Sequence, residues 1–74
     1  MPYILTSKTR VEIGRRIKRI RKQKGLSQTE VAVDAGLDSS YYSKIERGEV
    51  NPSLKKLYKV IRALGVKSSD ILPF

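Results

Sequence analysis

The segment from Gly25 to Gly48, GLSQTEVAVDAGLDSSYYSKIERG, constrains this chain more than any other. Ser27 with Glu30 three residues on has the pattern of a capping box, in which each side chain takes up a free N–H at the start of a helix. Gly36 then supplies the left-handed residue that ends that helix at no steric cost. Asp38 is a good N-cap for a second helix, roughly Ser39 to Arg47, which Gly48 stops. Val31, Ala32 and Ala35 point inward from the first helix, and the small alanines let the second approach closely. Leu37 plugs the bend between them. The expectation is two short helices joined by a glycine turn.

The flanking sequence extends the same pattern. Thr9 and Glu12 fit a capping box that opens a helix running to about Lys24, where Gly25 stops it. Ile13, Ile17 and Ile20 recur at helical spacing and mark its buried face. Downstream, Asn51-Pro52-Ser53 starts a further helix, with Asn51 or Ser53 as cap and Pro52 where a missing N–H does little harm. Leu54, Leu57, Ile61 and Leu64 form its apolar stripe, Tyr58 and Val60 flank it, and Gly65 ends it. Ser68 caps one last turn through Ile71 and Leu72. No stretch alternates with a strand period. The reading is an all-α protein: an N-terminal arm over residues 1–8, with the apolar trio Tyr3, Ile4 and Leu5, then one compact five-helix domain over residues 9–74.

Seventy-four residues allow a single domain, whose core supplies roughly 3–5 kcal/mol. The chain has no cysteine and no histidine, so disulfides and the common zinc sites are excluded. Stability has to come from tight helix packing or from a dimer. No apolar run approaches the length of a membrane span, and MPYILTSKTR lacks the features of a signal peptide. A cytoplasmic protein is expected, with no membrane partner.

Sixteen Lys and Arg against seven Asp and Glu leave a net charge of +9, which attracts polyanions, nucleic acid first. On a 3.6-residue wheel the helix after Asp38 divides cleanly. Tyr42 and Ile45 fall on one side with Glu46 beside them; Ser39, Ser40, Ser43, Lys44 and Arg47 gather on the other. Short hydroxyls on that second face permit close approach to base edges. The helix-turn-helix layout exists to hold one such helix in the major groove. Gln28 and Thr29 sit in the first turn of the preceding helix, where free N–H groups and the dipole favour phosphate. Tyr41, Arg47, Asn51, Lys55 and Lys56 flank the reading helix along the backbone. Residues 8–24 hold nine of the Lys and Arg and a single acid; most of these form a solvated face that raises the general field.

IGRRIKRIRKQKGLSQTEVAVDAGL followed by YYSKIERGEVNPSLKKLYKVIRALGV resembles the lambda-repressor-like Cro/repressor family, the XRE type of helix-turn-helix, over about residues 12–72. The resemblance implies a five-helix DNA-binding domain that acts as a dimer on a two-fold symmetric operator. It implies base-edge contacts from Ser39, Ser40, Ser43 and Lys44, and a place for Gln28 near phosphate and an outer base. It also implies that Arg21 pairs with Glu46, bracing the first helix against the reading helix. Two positions depart from the family pattern: Tyr42 stands where a branched aliphatic is usual, and Asp38-Ser39-Ser40 replaces long polar or basic residues. Reading then leans on hydroxyls, Lys44 and DNA shape.

The leading functional expectation is a sequence-specific, dimeric transcription regulator, with Val60, Leu64, Val66, Ile71, Leu72 and Phe74 as candidate dimer surface. The ending L-G-V-x-x-S-D-I-L resembles restriction–modification controller proteins, and small phage or plasmid repressors almost as well. The alternative from another class is an antitoxin-like interaction module using the arm and Phe74. No enzyme is expected: there is no nucleophile–base pair, no phosphate-cradling glycine loop and no paired carboxylate site. No cofactor, metal or small-molecule ligand is expected either.

Overall fold

A computed structural model of the chain describes residues 5–73, so the expectations on Tyr3, Ile4 and Phe74 lie outside the described residues. The chain folds as α1 (Ser7–Gln23), α2 (Gln28–Ala35), α3 (Ser39–Glu46), α4 (Leu54–Leu64) and α5 (Ser68–Ile71). No strand occurs among the described residues.

Helix α1 begins two residues before the expected Thr9. Its N-cap is Thr6, whose hydroxyl accepts from the Thr9 N–H at 3.2 Å. Thr9 and Glu12 therefore do not form a capping box; Glu12 pairs instead with Arg16 at 2.9 Å and Arg15 at 3.4 Å along the helix surface. The Ser27–Glu30 capping box is formed in both directions, at 3.0 and 2.8 Å. Gly36 adopts φ +67°, and its neighbour Leu37 sends its N–H back to the Ala32 carbonyl, closing α2 and half-burying the Leu37 side chain. One Asp38 carboxylate oxygen takes the N–H groups of both Ser40 and Tyr41. Ser53, not Asn51, caps α4, and Pro52 is buried. At α5 the Asp70 carboxylate accepts from the Lys67 N–H at 3.0 Å, and Ser68 is the first helical residue rather than the cap.

The core gathers Ile13, Ile17 and Ile20 of α1, Val31, Ala32 and Ala35 of α2, Tyr42 and Ile45 of α3, Leu57, Val60, Ile61 and Leu64 of α4, and Ile71 of α5. Each fully buried Ile, Leu or Val contributes about 1.5–3 kcal/mol relative to exposure. The alanines of α2 admit α4 as well as α3; the α2–α4 contact is the most extensive in the fold. Two positions on α4 differ from the wheel: Val60 is fully buried, and Leu54 is 72% exposed. Leu54 shares the stripe's azimuth, but it lies in the first turn, at the rim of a shallow groove with Tyr58, Ile61 and Leu72.

Helix α1 crosses the end of α3 at Gly14. A Cβ there would overlap the carbonyl oxygens of Glu46 and Ile45. Both obstacles are backbone atoms of a packed helix, so they have little room to yield. In an open helix Gly→Ala gains about 1 kcal/mol. Here overpacking reverses the sign, and we expect Gly14→Ala to destabilise by about 2 kcal/mol. That corresponds to a Tm lower by roughly 10 °C for a domain of this size, measured by thermal denaturation followed by circular dichroism.

Candidate nucleic-acid interface

The side chains of α3 divide as the wheel places them. Tyr42, Ile45 and Glu46 are buried, whereas Ser39, Ser40, Lys44 and Arg47 are exposed and Ser43 is half-buried. The Asp38 cap fixes the first turn, so the exposed serines sit on ordered backbone.

What holds this helix in place is polar. Arg21 of α1 grips the Glu46 carboxylate with two nitrogens, Nε at 2.6 Å and Nη2 at 3.1 Å, and donates its third to the Leu26 carbonyl at 2.9 Å. The Tyr42 hydroxyl donates to the same carboxylate. Gln28 of α2 adds a further bond from Nε2 to Glu46 Oε1 at 2.9 Å. Among the described residues no buried side-chain nitrogen or oxygen lacks a partner.

These contacts set the protonation states. Burial pushes the Glu46 carboxyl up, but hydrogen bonds from Arg21, Tyr42 and Gln28, with the Arg21 charge, outweigh it and hold it below the usual carboxylate range. Burial, then the bond to Glu46, pushes the Tyr42 phenol well above its ordinary value. The bond to Glu46 raises Arg21. The site therefore contains a carboxylate that accepts on every side.

The network continues outward. The Ser43 hydroxyl donates to Gln28 Oε1 at 3.2 Å and accepts from Arg47 Nη1 at 3.0 Å. Arg47 is also held by Glu49, at 2.6 Å through Nε and 3.4 Å through Nη2. Gln28 is thus half-buried and turned toward α3, with one amide proton already engaged, rather than lying free at the surface. Nothing in the 28–43 or 28–46 spacing announces this, because the partners lie on different helices. The Arg47–Glu49 pair was likewise not anticipated.

The other residues expected along the backbone frame α3. Thr29 is exposed in the first turn of α2, and Asn51 is exposed in the loop before α4. Tyr41 is half-buried, with the Lys56 ammonium 4.4 Å from its ring centre. Lys55 and Lys56 are exposed in the first turn of α4, which contains no acid.

The expected dimer surface needs correction. Val60, Leu64 and Ile71 are buried in the protein's own core, because α2 and α5 cover that side of α4. Val66 and Leu72 are half-buried against it. The apolar side chains left outward on this side are Leu54 and Tyr58, at the groove that Leu72 closes. Among the described residues no group of His, Cys, Asp or Glu is placed to hold a metal ion, and no helix is long and apolar enough to cross a membrane.

An α2–turn–α3 pair presenting a polar, ordered α3 face beside the cationic first turn of α4 defines a helix-turn-helix domain of the DNA-binding class. A helix-turn-helix family profile matches residues 17–71, and the chain belongs to that family of DNA-binding regulators. It is 38% identical over 71 residues to control protein C.BamHI of Bacillus amyloliquefaciens, covering 95% of this chain and 88% of that protein. It is 47% identical over 60 residues to the immunity repressor protein of Bacillus phage phi105, covering 81% of this chain but only 42% of the repressor. Among solved structures, the restriction–modification controller protein C.Esp1396I, crystallised as a tetramer with its natural 35 base-pair operator, aligns with a TM-score of 0.78 at 33% identity. That alignment covers 82% of this chain and 80% of the other.

Glu46 makes stability depend on acid. Its carboxyl titrates lower in the folded protein than the value near 4.3 of an unfolded chain, so its contribution is complete above that value and is lost as pH falls through the folded one. Glu46→Gln leaves the Arg21 charge buried without its counter-ion, and we expect a loss of about 3 kcal/mol at pH 7. The gap between wild type and variant should narrow below about pH 4. Urea denaturation of both proteins at a series of pH values checks it.

Proposed function

We propose that two copies of this chain bind a two-fold symmetric operator, each placing α3 in the major groove, and thereby regulate transcription in the cytoplasm. The observation that carries the reading is the division of α3: the braced side is entirely buried, and the outward side offers hydroxyls and Lys44 on ordered backbone. Ser39, Ser40, Ser43 and Lys44 take the base edges. Gln28, Thr29, Tyr41, Arg47, Asn51 and Lys55 take phosphates and set the register. Lys55 and Lys56 oppose the dipole of α4, a local cost that a phosphate beside them would reverse. The exposed Arg47–Glu49 pair contributes little to stability, so exchanging Glu49 for a phosphate costs little.

The subtype this reading favours is a restriction–modification controller protein. It is supported by the match to C.BamHI, which covers 95% of this chain and 88% of that protein. The proposal assigns no catalysis and no cofactor to the chain.

Dimerisation is assigned to the groove of Leu54, Tyr58 and Leu72, since Val60, Leu64 and Ile71 are buried in the core. Successive half-sites then lie about 34–36 Å apart. Leu54→Glu with Tyr58→Glu should leave the helices intact and give a monomeric mass at tens of micromolar by analytical ultracentrifugation. A dimer that persists in this double variant places the interface elsewhere.

Selection from a random duplex pool at physiological salt tests the function itself. The expected product is a symmetric motif with half-sites one helical turn apart; enrichment without any motif rules out sequence reading. On the selected operator, Ser43→Ala with Lys44→Ala should weaken binding and relax the motif. Arg47→Ala should weaken all sequences alike and reduce the slope of log K against log salt by about 1.

A further inference from the structure

The hydroxyl of Ser43 is not free to choose its role. A lone serine in the major groove both donates and accepts, and so discriminates poorly between base edges. Here the choice is made three residues away, in the core. Glu46 is ionised and only accepts, so the Gln28 amide must turn its nitrogen to Glu46, as observed at 2.9 Å. That orientation leaves Gln28 Oε1 facing Ser43. An amide oxygen only accepts, so the Ser43 proton goes to it, at 3.2 Å. What Ser43 has left for any other partner is lone pairs. One of them takes Arg47 Nη1 at 3.0 Å.

We propose that Ser43 reads DNA as a hydrogen-bond acceptor, selecting the exocyclic amino group of adenine or cytosine at one base pair of each half-site. This rests on α3 being the reading helix. In the major groove the amino groups N6 of adenine and N4 of cytosine donate, whereas O4 of thymine, O6 of guanine and the purine N7 accept. A Ser43 oxygen facing a keto group sets lone pair against lone pair. To donate instead, Ser43 must leave Gln28 Oε1 half-buried without a partner, which is the costly outcome. Arg47 is the second element. Exposed and held by Glu49 in the free protein, it vacates the Ser43 lone pair when its guanidinium moves to a phosphate. Backbone contact thereby frees a second lone pair on the atom that reads the base. Gln28 acts as a positioning residue: it need not touch a base to decide what Ser43 accepts.

The test starts from motifs selected with wild type and with Ser43→Ala, whose comparison identifies the base pair that Ser43 reads. Operator duplexes are then made with single groups removed at that pair. Purine for adenine, or 2-pyrimidinone for cytosine, removes the amino group. The keto oxygen is removed by 5-methyl-2-pyrimidinone for thymine, or 2-aminopurine for guanine. Wild type should lose roughly three- to tenfold in affinity when the amino group goes, the range of one neutral hydrogen bond, and should be indifferent to the keto oxygen. Ser43→Ala should be indifferent to both. Gln28→Met, verified as folded by its thermal transition, should lose the discrimination at this pair while keeping the preferences elsewhere. A purely structural Gln28 would instead lower affinity evenly at all positions. Sensitivity of wild type to the keto oxygen, absent in Ser43→Ala, overturns the assigned polarity. A motif that Ser43→Ala leaves unchanged overturns the role of Ser43 while the regulator reading stands. Selection that yields no motif removes both.

Discussion

The Arg21–Glu46 pair is the interaction on which the rest of this structure depends. Taking two charges out of water costs several kcal/mol per ion, and the pair is tolerable only when its remaining lone pairs and protons are occupied. Arg21 supplies two nitrogens to Glu46 and its third to the Leu26 carbonyl; Tyr42 and Gln28 fill the remaining acceptor sites. The geometry ties α1, the start of α2 and α3 to one carboxylate. Apolar packing alone tolerates a helix that rolls by some degrees, whereas a bidentate guanidinium–carboxylate contact does not. The roll of α3, and therefore which of its side chains face outward, is set at this point. Gly14 completes the constraint from the other side, letting α1 reach the last carbonyls of α3.

Charge in this chain has two kinds of work. Part of it is internal: Arg10 of α1 donates to the carbonyls of Leu5 and Gly48 and to Ser7, fastening the N-terminal segment and the loop after α3 to one helix. Arg21 does the same for α2 and α3. Most of the remaining cations are exposed, along α1, at the start of α4 and elsewhere on the surface. They supply the long-range field that draws DNA in, and do so without specifying sequence. In the proposed reading, specificity comes from the short, nearly neutral side chains of α3. That division of labour fits a basic chain that presents serines on the outward face of α3.

Much of the architecture was legible because it is encoded locally. The Ser27–Glu30 box, the Asp38 cap and the left-handed Gly36 each act within four residues, so their spacing along the chain is their geometry. Errors arose where two local solutions compete. Thr6 and Thr9 both offer a capping hydroxyl, and the cap at Thr6 starts α1 at Ser7, two residues before Thr9, with Arg10 in reach of Gly48. Asn51 and Ser53 compete similarly, with Pro52 buried between them. Burial on α4 was harder still. Periodicity finds an apolar stripe but not how far neighbours extend along it, so Leu54 falls outside the core and Val60 inside. For the same reason the candidate dimer surface includes Val60, Leu64 and Ile71, which the monomer's own core uses.

The sequence by itself determined where α2 and α3 begin and end, that the described residues form five helices, that one face of α3 is polar, and that the chain attracts polyanions. These follow from propensity, capping and charge, which act over one or two turns. Only the tertiary structure decided what the polar residues do. Gln28, read alone, is a free amide at a helix N-terminus; in the fold it is an oriented bridge between Glu46 and Ser43. Arg47 is likewise a surface cation in sequence, and in space a group shared by Ser43 and Glu49. Hydrogen bonds are directional and here join residues fifteen and eighteen positions apart, so no spacing in the chain encodes them. They exist only once packing has brought the helices to a fixed distance and roll.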